Sequence, residues 1–278
     1  MFPPAWSASP IRAPADRFCA AWVGFGVVVA AAALRSVLAG RPLRAVAAVL
    51  VLGGMIAGWR SRWRLWILPG LIAPVYYILG GGAQLGGDRS LAEIDGKLGF
   101  AHAVAGLAAV VPGVGWSVLV AAYWLFFPMV IAALVRHGRG GRASAESFQG
   151  ALFIVYAFGY IGYLVLPAAG PGLAGLWPDL SGGQSLAVGS YEVMRWGSNG
   201  ADAFPSLHAA ISVFLAVLAV RGADRGGRIW LPVAVLVPVA AVLLGYHYVV
   251  DVLAGAALGG LAAVSSARLD NSRPYAST

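Results

Sequence analysis

Three residues in the last third of the chain have the types and spacing that acid–base or nucleophilic chemistry requires. His208 closes the stretch Asn199-Gly-Ala-Asp-Ala-Phe-Pro-Ser-Leu-His208, and His247 and Asp251 lie in Gly245-Tyr-His-Tyr-Val-Val-Asp-Val-Leu-Ala-Gly255. His247 and Asp251 are four residues apart, so a helix places them on one face. A carboxylate there can hold one imidazole nitrogen as N–H and leave the other as a nucleophile or acceptor. His208 precedes His247 by 39 residues, about the length of a two-helix hairpin, so both rings can meet at one side of a bundle. A plainer reading uses the same residues: a buried His–Asp pair that locks two helices, with His208 as a cap. Ionisable groups inside apolar segments are costly and point to function without naming it.

The segments that carry them are long and apolar. Eight lie near 19–39, 43–59, 63–80, 115–136, 148–167, 205–221, 229–246 and 247–266, each close to the roughly 20 residues that cross a bilayer as a helix. The stretch 101–114 is apolar but too short, and suits a re-entrant or interface-lying segment. Two longer polar connections, 81–100 and 168–204, are rich in glycine. The expected fold is therefore all-α, a polytopic membrane bundle of about eight spans with a six-helix catalytic core. Residues 1–100 form a tail, three spans and an outer loop, and 101–278 form the catalytic bundle.

Composition agrees. Of 278 residues, 60% are hydrophobic and 11% charged, where a soluble domain carries about 25% charged, and the mean hydropathy is +0.79. That excludes a soluble enzyme, a disordered chain and a nucleic-acid-binding module. The net charge of +8 resides in gaps between apolar blocks, where basic residues set orientation rather than grip phosphate backbones. With the N-terminus inside and eight spans, 13 of the 19 basic residues fall inside. Outside lie Arg35, Arg41, Arg44, Arg89, Lys97 and Arg195, with most of the acids. The hairpin around Arg41 and Arg44 is the exception to the positive-inside pattern. Of the basic residues 18 are arginine, and Ala, Gly and Val dominate, as in a GC-rich bacterial genome. The expected location is a bacterial inner membrane, multi-pass, with the histidines facing outward. A single cysteine, Cys19, excludes an intrachain disulfide.

Ala203-Phe-Pro-Ser-Leu-His208, followed by His247-Tyr-Val-Val-Asp251-Val-Leu-Ala-Gly255, resembles the last two motifs of the type 2 phosphatidic acid phosphatase superfamily. The Phe-Pro-Ser-Leu-His variant, and Tyr163-Leu-Val-Leu-Pro-Ala-Ala-Gly-Pro171, are similar to the branch with inositol phosphorylceramide synthases and related inositolphosphotransferases. The resemblance covers roughly residues 115–266. It implies that His247 attacks phosphorus to form a phosphohistidine, that Asp251 orients it, and that His208 protonates the leaving oxygen and then activates the acceptor. Ser206 and nearby backbone N–H groups would hold phosphate oxygens, as helix N-termini do. No metal or other cofactor is implied.

The chain departs from the superfamily pattern in two places. No lysine with an Arg-Pro pair seven residues on is present, and the position six residues before His247, an arginine in the phosphatases, is Ala241. Phosphoryl transfer needs positive charge around the equatorial oxygens, and the candidates on the same side are Arg195, Lys97 and Arg89, with Arg195 first. An interface-anchoring role for Arg195 beside Trp196 is equally consistent. The resemblance implies a phospholipid donor and a lipid or water acceptor, giving a lipid phosphotransferase moving an inositol phosphate-like head group. The alternatives are a lipid phosphate or isoprenoid diphosphate phosphatase, and a catalytically degenerate scaffold or transporter. Residues 86–100 read as a possible lid over a lipid entrance, His137 as cytoplasmic, and His102 as interfacial. Gly54/Gly58 and Gly255/Gly259 read as packing surfaces, and Trp59, Trp63, Trp116 and Trp230 as interface anchors.

Overall fold

A computed structural model describes residues 14–60, 69–80, 86–222 and 224–267, and the described residues are helical with no strand. The helices are α1 (Pro14–Leu38), α2 (Pro42–Arg60), α3 (Ile72–Leu79), α4 (Gly86–Lys97), α5 (Phe100–Val110) and α6 (Gly113–Arg139). They continue with α7 (Arg142–Val165), α8 (Ser185–Gly197), α9 (Leu207–Val220), α10 (Leu231–Leu243) and α11 (Val249–Ala267), a 3₁₀ turn at Arg225–Trp230 preceding α10.

Five of these segments are long and apolar enough to cross a membrane: Asp16–Leu38, Pro42–Trp59, Gly113–Arg139, Arg142–Val165 and Arg225–Leu243. They match five of the eight expected spans and fit a multi-pass membrane protein. The sixth and eighth expected spans form α9 and α11, whose apolar stretches Leu207–Val220 and Val249–Ser265 are shorter. The first third of the third expected span, with Trp63, lies outside the described residues, which pick it up at 69 and in α3. The 101–114 stretch becomes α5, ending before Pro112, whose ring cannot continue a helix. Val23, Val27, Leu34, Val46, Val49 and Leu50 on α1 and α2 point outward and are exposed, as expected of a surface solvated by hydrocarbon.

The centre of the bundle is the α9–α11 pair, and glycine sets its spacing. A Cβ on Gly255 would run into the Ser206 carbonyl and one on Gly259 into the Ala210 carbonyl, so the two backbones touch without intervening side chains. The expected packing role of this glycine pair holds. α7 closes the pair from another side, and its Gly159 and Gly162 leave room for Leu207 and Pro205. α1 lies along the far face of α7, with Phe18, Trp22 and Phe25 clustered on Phe153. Trp59 stacks on Phe18 with ring centroids 5.5 Å apart. Trp116 is buried within the core formed with Tyr123, Leu243 and Tyr246; it is not the interface anchor expected, because its face of α6 turns toward α10.

At the arginine-rich end the polar groups are paired. Arg136 grips Asp224 through Nε at 3.1 Å and an Nη at 2.7 Å. Asp224 also accepts the Gly227 N–H at 3.0 Å, capping the 3₁₀ turn. His137 stacks on Phe148 with centroids 4.2 Å apart. His208 opens α9 and Asp224 follows its far end, so this cluster lies at the opposite end of that helix from the two site histidines.

Candidate active site

The loop 198–206 and the turn 244–248 deliver His208 and His247 to the same place, with ring centroids 5.8 Å apart. His247 is buried, and its Nδ1 lies 2.9 Å from the Ala203 carbonyl. A carbonyl can only accept, so Nδ1 carries the proton and Nε2 keeps its lone pair. Asp251 Oδ2 stands 3.7 Å from the same Nδ1. The nearer orienting partner of His247 is thus a backbone carbonyl, with the Asp251 carboxylate farther off. Asp251 is fully buried, and its Oδ2 also accepts the Tyr248 N–H at 2.9 Å, the reciprocal half of a capping box at the start of α11. Its Oδ1 has no hydrogen-bond partner among the described residues.

His208 is held by aromatic faces. Its ring lies 4.8 Å from Tyr123 and 4.6 Å from Phe126, centroid to centroid, and its buried Nε2 has no hydrogen-bond partner among the described residues. Ser206 is the N-cap of α9; its Oγ accepts the Ala209 N–H at 3.3 Å and its own N–H reaches the Asp251 carbonyl at 3.0 Å. The amides of Leu207 and His208 have no acceptor among the described residues. Open amides at a helix N-terminus beside two histidines are suited to anionic oxygens.

Two carboxylates that sequence reasoning passed over build the wall behind His247. Asp88 accepts the Ala169 N–H at 2.9 Å, the Gly170 N–H at 2.9 Å and the Tyr248 hydroxyl at 3.2 Å. Asp95 accepts the Val249 and Val250 N–H groups at 2.8 and 3.0 Å. Burial raises the Asp95 carboxyl above its ordinary range, and those two N–H bonds offset the rise only in part. The segment read as a lid is therefore fastened by Asp88 to the 169–170 turn and Tyr248, and by Asp95 to the start of α11. The sequence signal was their seven-residue spacing, two turns on one helical face.

The expected phosphate cations are all exposed, and two of the three are in ion pairs. Arg195 is exposed and paired with Glu192 at 2.8 Å, one turn back on α8. Lys97 is exposed and paired with Glu93 at 2.7 Å on α4. Arg89, also exposed, has no ion-pair partner among the described residues. His102 is exposed on α5.

His208, but not His247, lines a cavity of about 640 Å³ formed by α3, α6, α7, α8 and the start of α9. Its walls include Ile72, Val130, Leu134 and Leu152, with Asp202 and His208 among the few ionisable groups. Tyr77, Phe127, Ile131 and Val193 line it and are themselves exposed, so the cavity opens sideways to the surroundings of the bundle. No lysine or arginine lines it among the described residues.

No curated protein and no solved structure matches the chain. A family model described as the PAP2 superfamily matches residues 89–265, which takes in α5 through α10, both histidine motifs and most of α4 and α11. With more than half its length matched and both motif histidines at one site, this chain belongs to the PAP2 superfamily.

Proposed function

We infer that the protein is an integral-membrane lipid phosphotransferase working through a phosphohistidine. His247 Nε2 attacks phosphorus while the bond to the leaving alkoxide breaks and His208 gives that oxygen a proton. An acceptor hydroxyl then attacks the phosphohistidine, His208 takes its proton, and His247 is released. The observation that carries the reading is the position of His208, near the nucleophile and in the wall of an apolar cavity large enough for a lipid. A leaving diacylglycerol and an acceptor lipid hydroxyl would occupy that cavity in turn. The amides of Leu207 and His208 and the Ser206 hydroxyl would hold the phosphoryl oxygens. Positive charge would come from Arg89 without the loss of any ion pair, or from Arg195 or Lys97 once either leaves its glutamate.

The transferred group in this reading is an inositol phosphate-like head group, and the site faces outward in a bacterial inner membrane. Purified protein given labelled phosphatidylinositol, with and without ceramide, tests it: product should depend on the lipid acceptor. Equal release of phosphate without acceptor would instead identify a lipid phosphatase, in which water reaches the phosphohistidine. For the side of the membrane, a cysteine placed at Ser185 should react with an impermeant maleimide in spheroplasts and one at Gly140 should not.

A further inference from the structure

The polar end of the cavity is built from an element outside the family-matched segment. Tyr76 of α3 donates its hydroxyl to Asp202 Oδ2, and Ser198 Oγ donates to Asp202 Oδ1 at 2.6 Å. Asn199 ties the same loop down, its side-chain amide donating to the Tyr76 carbonyl at 2.6 Å and its backbone N–H to the Tyr76 hydroxyl at 3.2 Å. Asp202 is thereby fixed as a carboxylate in the cavity wall whose only side-chain partners are neutral hydroxyls, and it has no ion-pair partner among the described residues. A carboxylate drawn into apolar surroundings normally meets a counter-charge, because hydroxyl dipoles alone replace little of its hydration. The walls around it are rich in aromatic rings, Tyr76, Trp124 and Tyr163 among them. Aromatic faces together with a carboxylate attract alkylammonium groups and disfavour anions.

We propose that this cavity binds a lipid carrying an ammonium group, held by Asp202 and the surrounding rings, with its reacting oxygen directed to His208. The proposal rests on the phosphotransferase reading for the reacting oxygen but not for the ammonium site, which exists whether or not transfer occurs. Two sources share the chemistry: a long-chain amino alcohol serving as acceptor, and a phospholipid with a choline or ethanolamine head group. A phosphate belongs on the other side of His208, at the open amides of α9, because Asp202 repels it from the cavity.

Binding, measured without turnover, tests the idea. Wild-type protein in dodecyl maltoside is photolabelled with three diazirine-bearing C16 probes that differ only in the head: trimethylammonium, hydroxyl or sulfate. Labelling of α3, α6 and α7 residues in the cavity should favour the ammonium probe over the hydroxyl probe by about tenfold, with the sulfate weakest. In Asp202→Asn the ammonium and hydroxyl probes should label equally, and labelling by the hydroxyl probe should match wild type, which reports an intact cavity. Tyr76→Phe, which keeps the carboxylate, should retain the ammonium preference and covers the case in which Asp202→Asn fails to fold. Equal labelling by all three heads in wild type overturns the proposal, as does an ammonium preference that survives in folded Asp202→Asn. Displacement by a long-chain amino alcohol or by phosphatidylethanolamine assigns the source, and displacement by neither overturns it. A failure of acceptor-dependent transfer with the ammonium preference intact would sink only the reaction assignment.

Discussion

Two helix N-termini meet at the site, and they are finished in opposite ways. At α11 the amides of Tyr248, Val249 and Val250 are taken by the carboxylates of Asp251 and Asp95. At α9 Ser206 satisfies the Ala209 amide, while those of Leu207 and His208 stay open. Both ends have the same partial positive charge, but only one can give it to a ligand. The first end is closed by side chains beside His247; the second keeps two amides without an acceptor among the described residues, and in the proposed reaction these take the phosphoryl oxygens. The difference separates holding from binding: acids next to a phosphate site are tolerable where their charge is already spent on backbone N–H groups.

The largest test of that division is at the histidines. His247→Ala should abolish turnover and covalent phosphate capture with the fold intact, since a ring at the bundle's end is lost and α11 keeps its caps. His208→Ala should slow both half-reactions by about 10²- to 10⁴-fold, as for loss of a general acid–base, with residual capture visible by acid-labile phosphate. Near-wild-type rates in His247→Ala would remove the nucleophile assignment. Next comes Asp88→Ala, which orphans the Ala169 and Gly170 amides and the Tyr248 hydroxyl at once. It should cost about 3 kcal/mol or more in thermal unfolding, and an effect under about 1 kcal/mol would mean the wall is not held there.

Asp95→Ala should cost about 1–2 kcal/mol, the range of a lost helix cap. Asp95→Asn should cost less, because it keeps an acceptor and sheds a charge that burial opposes. The sign with pH follows. A carboxyl raised in the folded state weighs against folding while ionised, so wild type should gain stability relative to Asp95→Asn as pH falls through the carboxylate range. The opposite trend in unfolding midpoints between pH 7 and pH 4 would show that its N–H bonds outweigh desolvation. Smallest of all, Glu93→Ala and Glu192→Ala should each shift stability by less than about 1 kcal/mol, as exposed ion pairs do. Their use is in kinetics: each frees a cation, Lys97 or Arg195, and a rise in activity would identify the one that reaches the phosphate.

His208, His247 and Asp251 were legible because reactive side chains in apolar sequence stand out, and because their spacing on helices fixes who can meet. The long spans α1, α2, α6 and α7 were legible for the same reason, as runs with few charges. Asp88 and Asp95 were not, since acids in a glycine-rich connection look like solvated charges until the amides they cap are known. Trp116 was misread because a tryptophan at a span end serves equally as anchor or as core, and only the neighbouring α10 decides. The cavity could not be read at all: its walls come from five elements spread between residues 69 and 211.

The fastening of α11 by α4 has a consequence for how the protein is made. Asp95 is synthesised 154 residues before the amide of Val249 that it accepts, and Asp88 160 residues before Tyr248. During translation both acids precede α5 to α10, which are made before their partners at the start of α11. Asp88 can take the 169–170 amides as soon as they emerge, but the start of α11 has no Asp95 contact until that helix is made. A nascent or truncated chain that stops after α10 would contain His208 and every residue lining the cavity yet lack His247 and the helix that seats it. The pairing of His208 with His247 therefore comes late, when the last tenth or so of the chain is made.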